Sequence, residues 1–234
     1  MEETRIVLVR HGESLAQQRR IVGGHSGCRG LSDRGRAQVE ALRDRLADSG
    51  ELAGATALYS SVMARAAETA DILAPALDGL AVRRDCDFCE SHPGEGAGLD
   101  IEEYNRRWPF PASWTPDSRR DPGGESFREM SERVGRALDT LIERHRGETV
   151  VVACHGGVVV HSRLRWRDVD PGGRASRAWL DPINASLTEW LIVPRRSWGL
   201  PVELVRFNDH AHLRGELAHR RRRPLAEKQS SPAS

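Results

Sequence analysis

The chain has 234 residues, enough for one α/β domain with a sizeable core or at most two small domains. Its 35 basic and 34 acidic side chains nearly cancel, which excludes the strong global field of a nucleic-acid or membrane-surface binder and leaves individual arginines with local duties. The opening MEETRIVLVR runs only four apolar residues before an arginine, unlike a secretory signal, and no later apolar run reaches bilayer length, so a cytoplasmic protein is expected.

Ile6 to Val9 is continuously apolar and rich in β-branched residues, the pattern of a strand covered on both faces. Ser32 is an N-cap candidate for a helix with Val39, Leu42 and Leu46 at helical spacing and a stop near Gly50. Residues 55–59 read as a weaker strand and 62–74 as a second helix. Residues 92–124 are rich in Gly, Pro, Trp and Arg without a clear period, which suggests a functional lid insertion. A third helix is expected from Glu125 to Arg144, with Phe127, Met130, Val134, Leu138, Leu141 and Ile142 on one side and an end near Gly147. Val150 to Cys154 repeats the pattern of the first strand. Residues 186–193 and 202–207 suggest an antiparallel pair at a sheet edge, joined by a connection containing Pro194, Gly199 and Pro201. From about His219 the chain turns Arg-rich and then polar, so residues 1–218 are expected to form one domain and 219–234 a disordered tail. The run Arg220 to Arg223 suits a solvated terminus better than a nucleic-acid contact. Strands alternating with helices predict an α/β fold: three layers, a mostly parallel sheet and helices on both faces.

Cysteines stand at positions 28, 86, 89 and 154. No disulfide framework is expected in a chain of this length without a secretory signal. Cys86-Asp87-Phe88-Cys89 has redox or zinc spacing, with His92 three residues on. No second pair stands at ligand spacing, so ordinary thiols, no metal and no cofactor are expected.

Two strand ends carry the chemistry. The first strand runs into Arg10-His11-Gly12-Glu13 and the later one into Cys154-His155-Gly156-Gly157. Ligands of open parallel sheets bind beyond the carboxyl ends of the strands, so the two histidines could face one pocket. The glycine after each lets the backbone turn and a ligand approach.

Arg10-His11-Gly12-Glu13 resembles the signature of the histidine phosphatase superfamily, in the branch that holds cofactor-dependent phosphoglycerate mutases and broad-specificity phosphatases. Further segments follow in the family's order: Leu31 to Gln38, Ser60 to Ala70, Glu90 with Gly94 to Leu99, Pro122 to Ser126, and Cys154 to Gly157. Together they cover roughly residues 4–190. The resemblance implies a phosphoglycerate mutase-like fold and a covalent phosphohistidine on His11. By the same resemblance Arg10 and Arg65 supply bidentate forks to a phosphoryl group, His155 adds a third donor, and Glu90 serves as acid and base. Glu95 is an alternative acid. Ser14, Gln17 and Gly156 are the expected substrate contacts, with a simple capping role the alternative for Ser14, although Gln17 replaces an asparagine common in the family and Gly23 to Gly30 departs from the usual pattern.

The resemblance leaves three outcomes. A phosphatase passes the phosphoryl group to water, a mutase returns it to a sugar acid, and a degenerate module only binds phosphate. The short segment 100–121 and Pro122-Gly123-Gly124-Glu125-Ser126 favour a metal-independent phosphatase acting on a small-molecule phosphomonoester. Arg106 and Arg107 could grip a second anionic group, and Trp108, Phe110 and Trp114 could stack on a ligand or pack the lid. No nucleic acid or membrane partner is expected, and a homodimer is compatible with this reading.

Overall fold

Alternation within the first strand builds the layers. The computed structural model describes residues 3–166, 181–193 and 202–218. The expected tail from 219, and the connection holding Pro194, Gly199 and Pro201, lie outside the described residues. β1 (Thr4–Arg10) sends Ile6 and Leu8 into one apolar cluster and Val7 and Val9 into another, and all four are fully buried. Successive side chains of a strand point to opposite faces, so this strand needs cover on both sides.

The cover comes from helices. α1 (Leu15–Gln18) and α2 (Gly24–Gly27) are single turns in the loop after β1. α3 (Asp33–Ser49) is capped by Ser32, whose Oγ accepts from Gly35 N at 3.0 Å, and it stops at Gly50, held left-handed at φ 64°. β2 (Ala55–Ser60) leads into α4 (Ala64–Leu73) and then to the short β3 (Val82–Arg84). α5 (Ile101–Arg107) lies within the insertion. α6 (Phe127–Arg144) starts at a capping box of Ser126 and Glu129 and ends at His145, shortly before Gly147. β4 (Thr149–Cys154) enters α7 (Gly156–Trp166), and β5 (Leu187–Ile192) and β6 (Val202–Asp209) follow.

The sheet order is β3-β2-β4-β1-β5-β6. The first four strands are mutually parallel, while β5 runs antiparallel to β1 and β6 antiparallel to β5 at the edge. The predicted α/β class, layering and edge pair are therefore observed, in a mixed sheet. One face packs Val39, Leu42 and Leu46 of α3 and Ala70 and Leu73 of α4. The other packs Met130, Val134, Leu138 and Leu141 of α6 with Val158, Val159 and Trp166 of α7. Each fully buried aliphatic side chain contributes about 1.5–3 kcal/mol, so either cluster alone holds a large share of the stability.

Several elements differ from the expectation. β3 has only three residues and two are exposed, so it carries no strand pattern. α5 buries only Tyr104, which hides its period. α7 opens Gly156-Gly157-Val158-Val159-Val160, a poor helix sequence that tertiary packing overrides.

Candidate active site

Register brings the two histidines together. β1 and β4 are parallel neighbours with Arg10 opposite Cys154, so His11 and His155 leave the sheet side by side. His11 N donates to Cys154 O at 3.0 Å, and the two imidazole centroids stand 5.1 Å apart, edge to face. The loop after β1 is pressed onto the first turn of α3, where a Cβ on Gly12 would come within 2.3 Å of Gly35 O. Only glycine fits there. Glu13 fixes the loop further: its carboxylate accepts from Ser32 Oγ at 2.9 Å and from Arg34 at 2.8 Å.

The tautomer of His11 follows from its partners. Arg65, in the first turn of α4, has its Nε 3.1 Å from His11 Nε2. An arginine N–H can only donate, so His11 Nε2 must accept and carries no proton. The ring proton therefore sits on Nδ1, which donates to Gly12 O at 2.6 Å. Burial, the Arg65 cation and the Arg10 cation, in that order, hold the His11 pKa well below the ordinary histidine value. Glu68, the acidic neighbour of Arg65 in the helix, is engaged elsewhere, by Arg36 at 2.5 Å and Leu31 N at 2.8 Å.

His155 is fully buried, and its Nε2 lies 2.9 Å from Ser61 Oγ. Burial first, then Arg65, His11 and Arg10, keep it neutral as well. Ser61 was not singled out by the sequence, yet it also accepts from Met63 N and touches Cys89 Sγ at 3.2 Å. Arg10 is held by Asp181 at 2.8 Å and by Pro182 O, and it lies against Gly156, where an added Cβ would meet its guanidinium carbon at 3.5 Å. Arg10 Nε, Arg65 Nη1 and His155 Nδ1 are buried without a hydrogen-bond partner among the described residues. Such groups cost about 1–3 kcal/mol each, and three of them on the residues around one imidazole suit the oxygens of an anion.

Glu90 closes another side. Its Oε2 accepts from Gly157 N at 3.1 Å and its Oε1 from Ser91 N at 3.1 Å. A Cβ on Gly157 would lie 2.0 Å from Glu90 Oε1, so the second glycine after His155 sets how near the carboxylate comes. Glu95, the alternative acid, is exposed and is not among the residues lining the cleft described next.

Ser14 and Gln17 are brought near but turned to each other. Ser14 caps α1, accepting from Gln17 N at 3.1 Å, while Gln17 Oε1 accepts from Ser14 N at 3.0 Å and Asn184 Nδ2 at 3.2 Å. These hydrogen bonds form a capping box at the start of α1. Asn184 also holds His11 O at 3.0 Å, a support that no sequence pattern announced.

A cleft of about 320 Å³ opens beside Arg65 and Glu90, lined also by Gly23, His92, Tyr104, Arg120, Asp121 and Glu125. Arg120 supplies its second cation, stacked 4.4 Å from the Tyr104 ring. Arg106 instead pairs with Glu103 in exposed α5, and Arg107 lies 4.7 Å over Trp108, so neither lines the cleft. Trp114 packs edge-on against Phe127 at 5.7 Å, and Phe110 is 65% exposed. The lid aromatics pack or face solvent. At the lip of the cleft the side chains of His25, Cys86, Cys89 and His92 cluster, with ligand atoms within 4.8 Å of one another.

The sequence model of the histidine phosphatase superfamily (branch 1) matches residues 6–198. The chain belongs to the histidine phosphatase superfamily. Among its relatives in that superfamily, it is 34% identical over 212 residues to phosphoglycerate mutase-like protein 4 of Arabidopsis thaliana, covering 89% of this chain and 86% of the relative. It is 32% identical over 195 residues to a metal-independent phosphoserine phosphatase of the same plant, covering 82% and 80%. Its fold matches a mycobacterial glucosyl-3-phosphoglycerate phosphatase with a TM-score of 0.69 at 23% identity, covering 88% of this chain and 99% of that one. A histidine phosphatase-type enzyme, phosphatase or mutase, is thereby established. Among the described residues no helix is long and apolar enough to cross a membrane.

Proposed function

We propose that this chain hydrolyses small phosphomonoesters through a phosphohistidine on His11 Nε2, without a metal in the chemical step. The observation that carries the reading is the unprotonated Nε2, fixed by a proton held on Nδ1 by Gly12 O and by the Arg65 N–H. A phosphoryl group that displaces the Arg65 N–H meets the nucleophilic lone pair directly.

The nonbridging oxygens take their donors from Arg10, Arg65 and His155, which stabilise a loose, charge-spread transition state. For His155 to donate, its proton must sit on Nδ1, with Ser61 Oγ–H donating to Nε2. As the Nε2–P bond forms, the P–O bond breaks and the leaving oxygen takes a proton from Glu90. Water then attacks phosphorus, Glu90 recovers the proton, and His11 is released with inorganic phosphate.

Mutase transfer is the second reading, and the position of Arg106 and Arg107 outside the cleft weighs against a dedicated carboxylate grip. The metal-independent phosphoserine phosphatase among the relatives supports the hydrolase. The decisive experiment is rapid quench with radiolabelled phosphomonoester and chelator present. Wild type should yield an acid-labile, base-stable phosphoprotein that is absent in His11→Ala. Retained turnover in His11→Ala would overturn the mechanism.

A further inference from the structure

We infer that His25, Cys86, Cys89 and His92 form a structural zinc site at the lip of the catalytic cleft. Sequence spacing supplies only three of these ligands. The fold adds the fourth, His25, from a glycine-rich loop 61 residues before Cys86. Cys86 Sγ lies 3.1 Å from Cys89 Sγ, 3.7 Å from His25 Nε2 and 3.8 Å from His92 Nε2. A tetrahedral zinc, with bonds of about 2.3 Å to sulfur and 2.0–2.1 Å to nitrogen, places its ligand atoms roughly 3.3–3.8 Å apart. Closing on the ion requires the sulfur pair to open by roughly 0.6 Å, and separations that reach up to 4.8 Å to shorten by about 1 Å, movements within the range of side-chain rotation. Two thiolates with two imidazoles in this geometry select zinc over magnesium, calcium or manganese.

The surroundings are built to hold this arrangement. Cys86 to Phe88 form a 3-10 turn, and Arg133 Nη1 donates to the carbonyls of Asp87 at 2.8 Å and Cys89 at 3.1 Å. The same guanidinium is forked onto Glu125 at 2.7 and 2.8 Å, and Glu125 exchanges hydrogen bonds with the backbone of His92. One buried ion pair thus orients three of the four ligands, the supporting shell that metal sites require. On the other side, Gly24 at φ 78° brings α2 against Pro93, where a Cβ would sit 2.9 Å from the ring, and so presents His25.

All four ligands come from protein, so the ion has no open position and takes no part in phosphoryl transfer. Its effect is mechanical. It staples the loop of Gly23 and Gly24 to the loop of Glu90 to Pro93, the two segments that flank the cleft mouth. Cys89 also touches Ser61, which holds His155, so the staple is continuous with the catalytic donors.

The test is metal analysis of the full-length protein expressed with zinc and purified without chelator, followed by cobalt(II) replacement. Expected are one zinc per chain and, with cobalt, intense visible bands of a tetrahedral centre with thiolate charge transfer. Cys89→Ser should lose both signals. His25→Ala should lose them too, and because His25 is exposed on a single turn, that loss cannot be assigned to unfolding. Cys28→Ser should keep them. Full zinc occupancy in His25→Ala, zinc that dialyses away from wild type, or a Cys86–Cys89 disulfide in anaerobically prepared protein would each overturn the site.

Discussion

Arg65 Nε donates to His11 Nε2 at 3.1 Å, so the cation that should grip the phosphoryl group also keeps its attacker deprotonated. Replacing Arg65 with Lys keeps the charge but removes the fork and the Nε–H. Turnover should fall by about 100- to 1,000-fold, the scale of losing an oriented transition-state donor. Competitive inhibition by phosphate and vanadate should weaken in parallel. Turnover of Arg65→Lys close to that of wild type would show that Arg65 is not in the clamp.

The same contact makes a spectroscopic prediction. With its pKa held well below 6.5 by burial, Arg65 and Arg10, His11 should stay neutral with the proton on Nδ1 through pH 6. Nitrogen NMR of labelled histidine reads this directly. Replacing Arg65 with Gln removes one depressing charge, so the His11 midpoint should move up toward 6.5. A His11 that is already protonated at pH 6.5 in wild type contradicts the assignment.

Glu90→Gln keeps size and polarity but cannot move a proton. Phosphorylation of His11 should slow by about 100- to 10,000-fold for an alkyl phosphate, whose alkoxide needs a proton, and far less for nitrophenyl phosphate. Water activation in the second step also uses Glu90, so the pre-steady-state burst must be measured. Equal slowing of both bursts would remove Glu90 from the acid role.

Gly157→Ala separates position from presence. The new methyl would overlap Glu90 Oε1 at 2.0 Å and the end of the Met130 side chain at 2.6 Å, both flexible enough to yield. The carboxylate should be displaced, lowering kcat for alkyl phosphates while the melting temperature changes little. If kcat is unchanged, the closeness of Gly157 to Glu90 has no functional weight.

Stability should fall in mild acid. Burial lowers the His161 pKa from 6.5 to about 4, so the unfolded chain takes up a proton at a pH where the native one does not. The contribution is whole above pH 6.5 and declines between 6.5 and 4, by about 1.4 kcal/mol per pH unit for each such histidine. His11 and His155 act in the same direction. Urea midpoints at pH 7 and pH 5 test this, and His161→Gln should flatten the difference.

The parts of the site legible in sequence were those written in one place. Arg10-His11-Gly12 and His155-Gly156-Gly157 each follow an uninterrupted apolar strand, and parallel register does the rest. Arg65 was legible because its segment is contiguous. What stayed hidden depends on which loops meet. Ser61, Asn184 and Arg133 are common polar residues whose roles exist only through carbonyls and rings contributed by distant segments. His25 lies in a run of glycines with no period to place it. Ser14 was legible as a helix cap from its residue type alone, and its hydroxyl does satisfy the end of α1.

The central place of β1 has a consequence for how the enzyme is made. This strand precedes the rest of the sheet in the chain, yet its sheet neighbours are β4, at 149–154, and β5, at 187–192. Asp181 and Asn184, which hold Arg10 and the His11 backbone, come equally late. A nascent chain that stops before Thr149 already contains Arg10, His11, Arg65 and Glu90, but the strand carrying the nucleophile has neither sheet neighbour beside it. Such pairings close slowly, since the loop entropy is lost before any contact repays it. The nucleophile strand is therefore translated well before either of its sheet neighbours, and products truncated before Thr149 should be inert through topology.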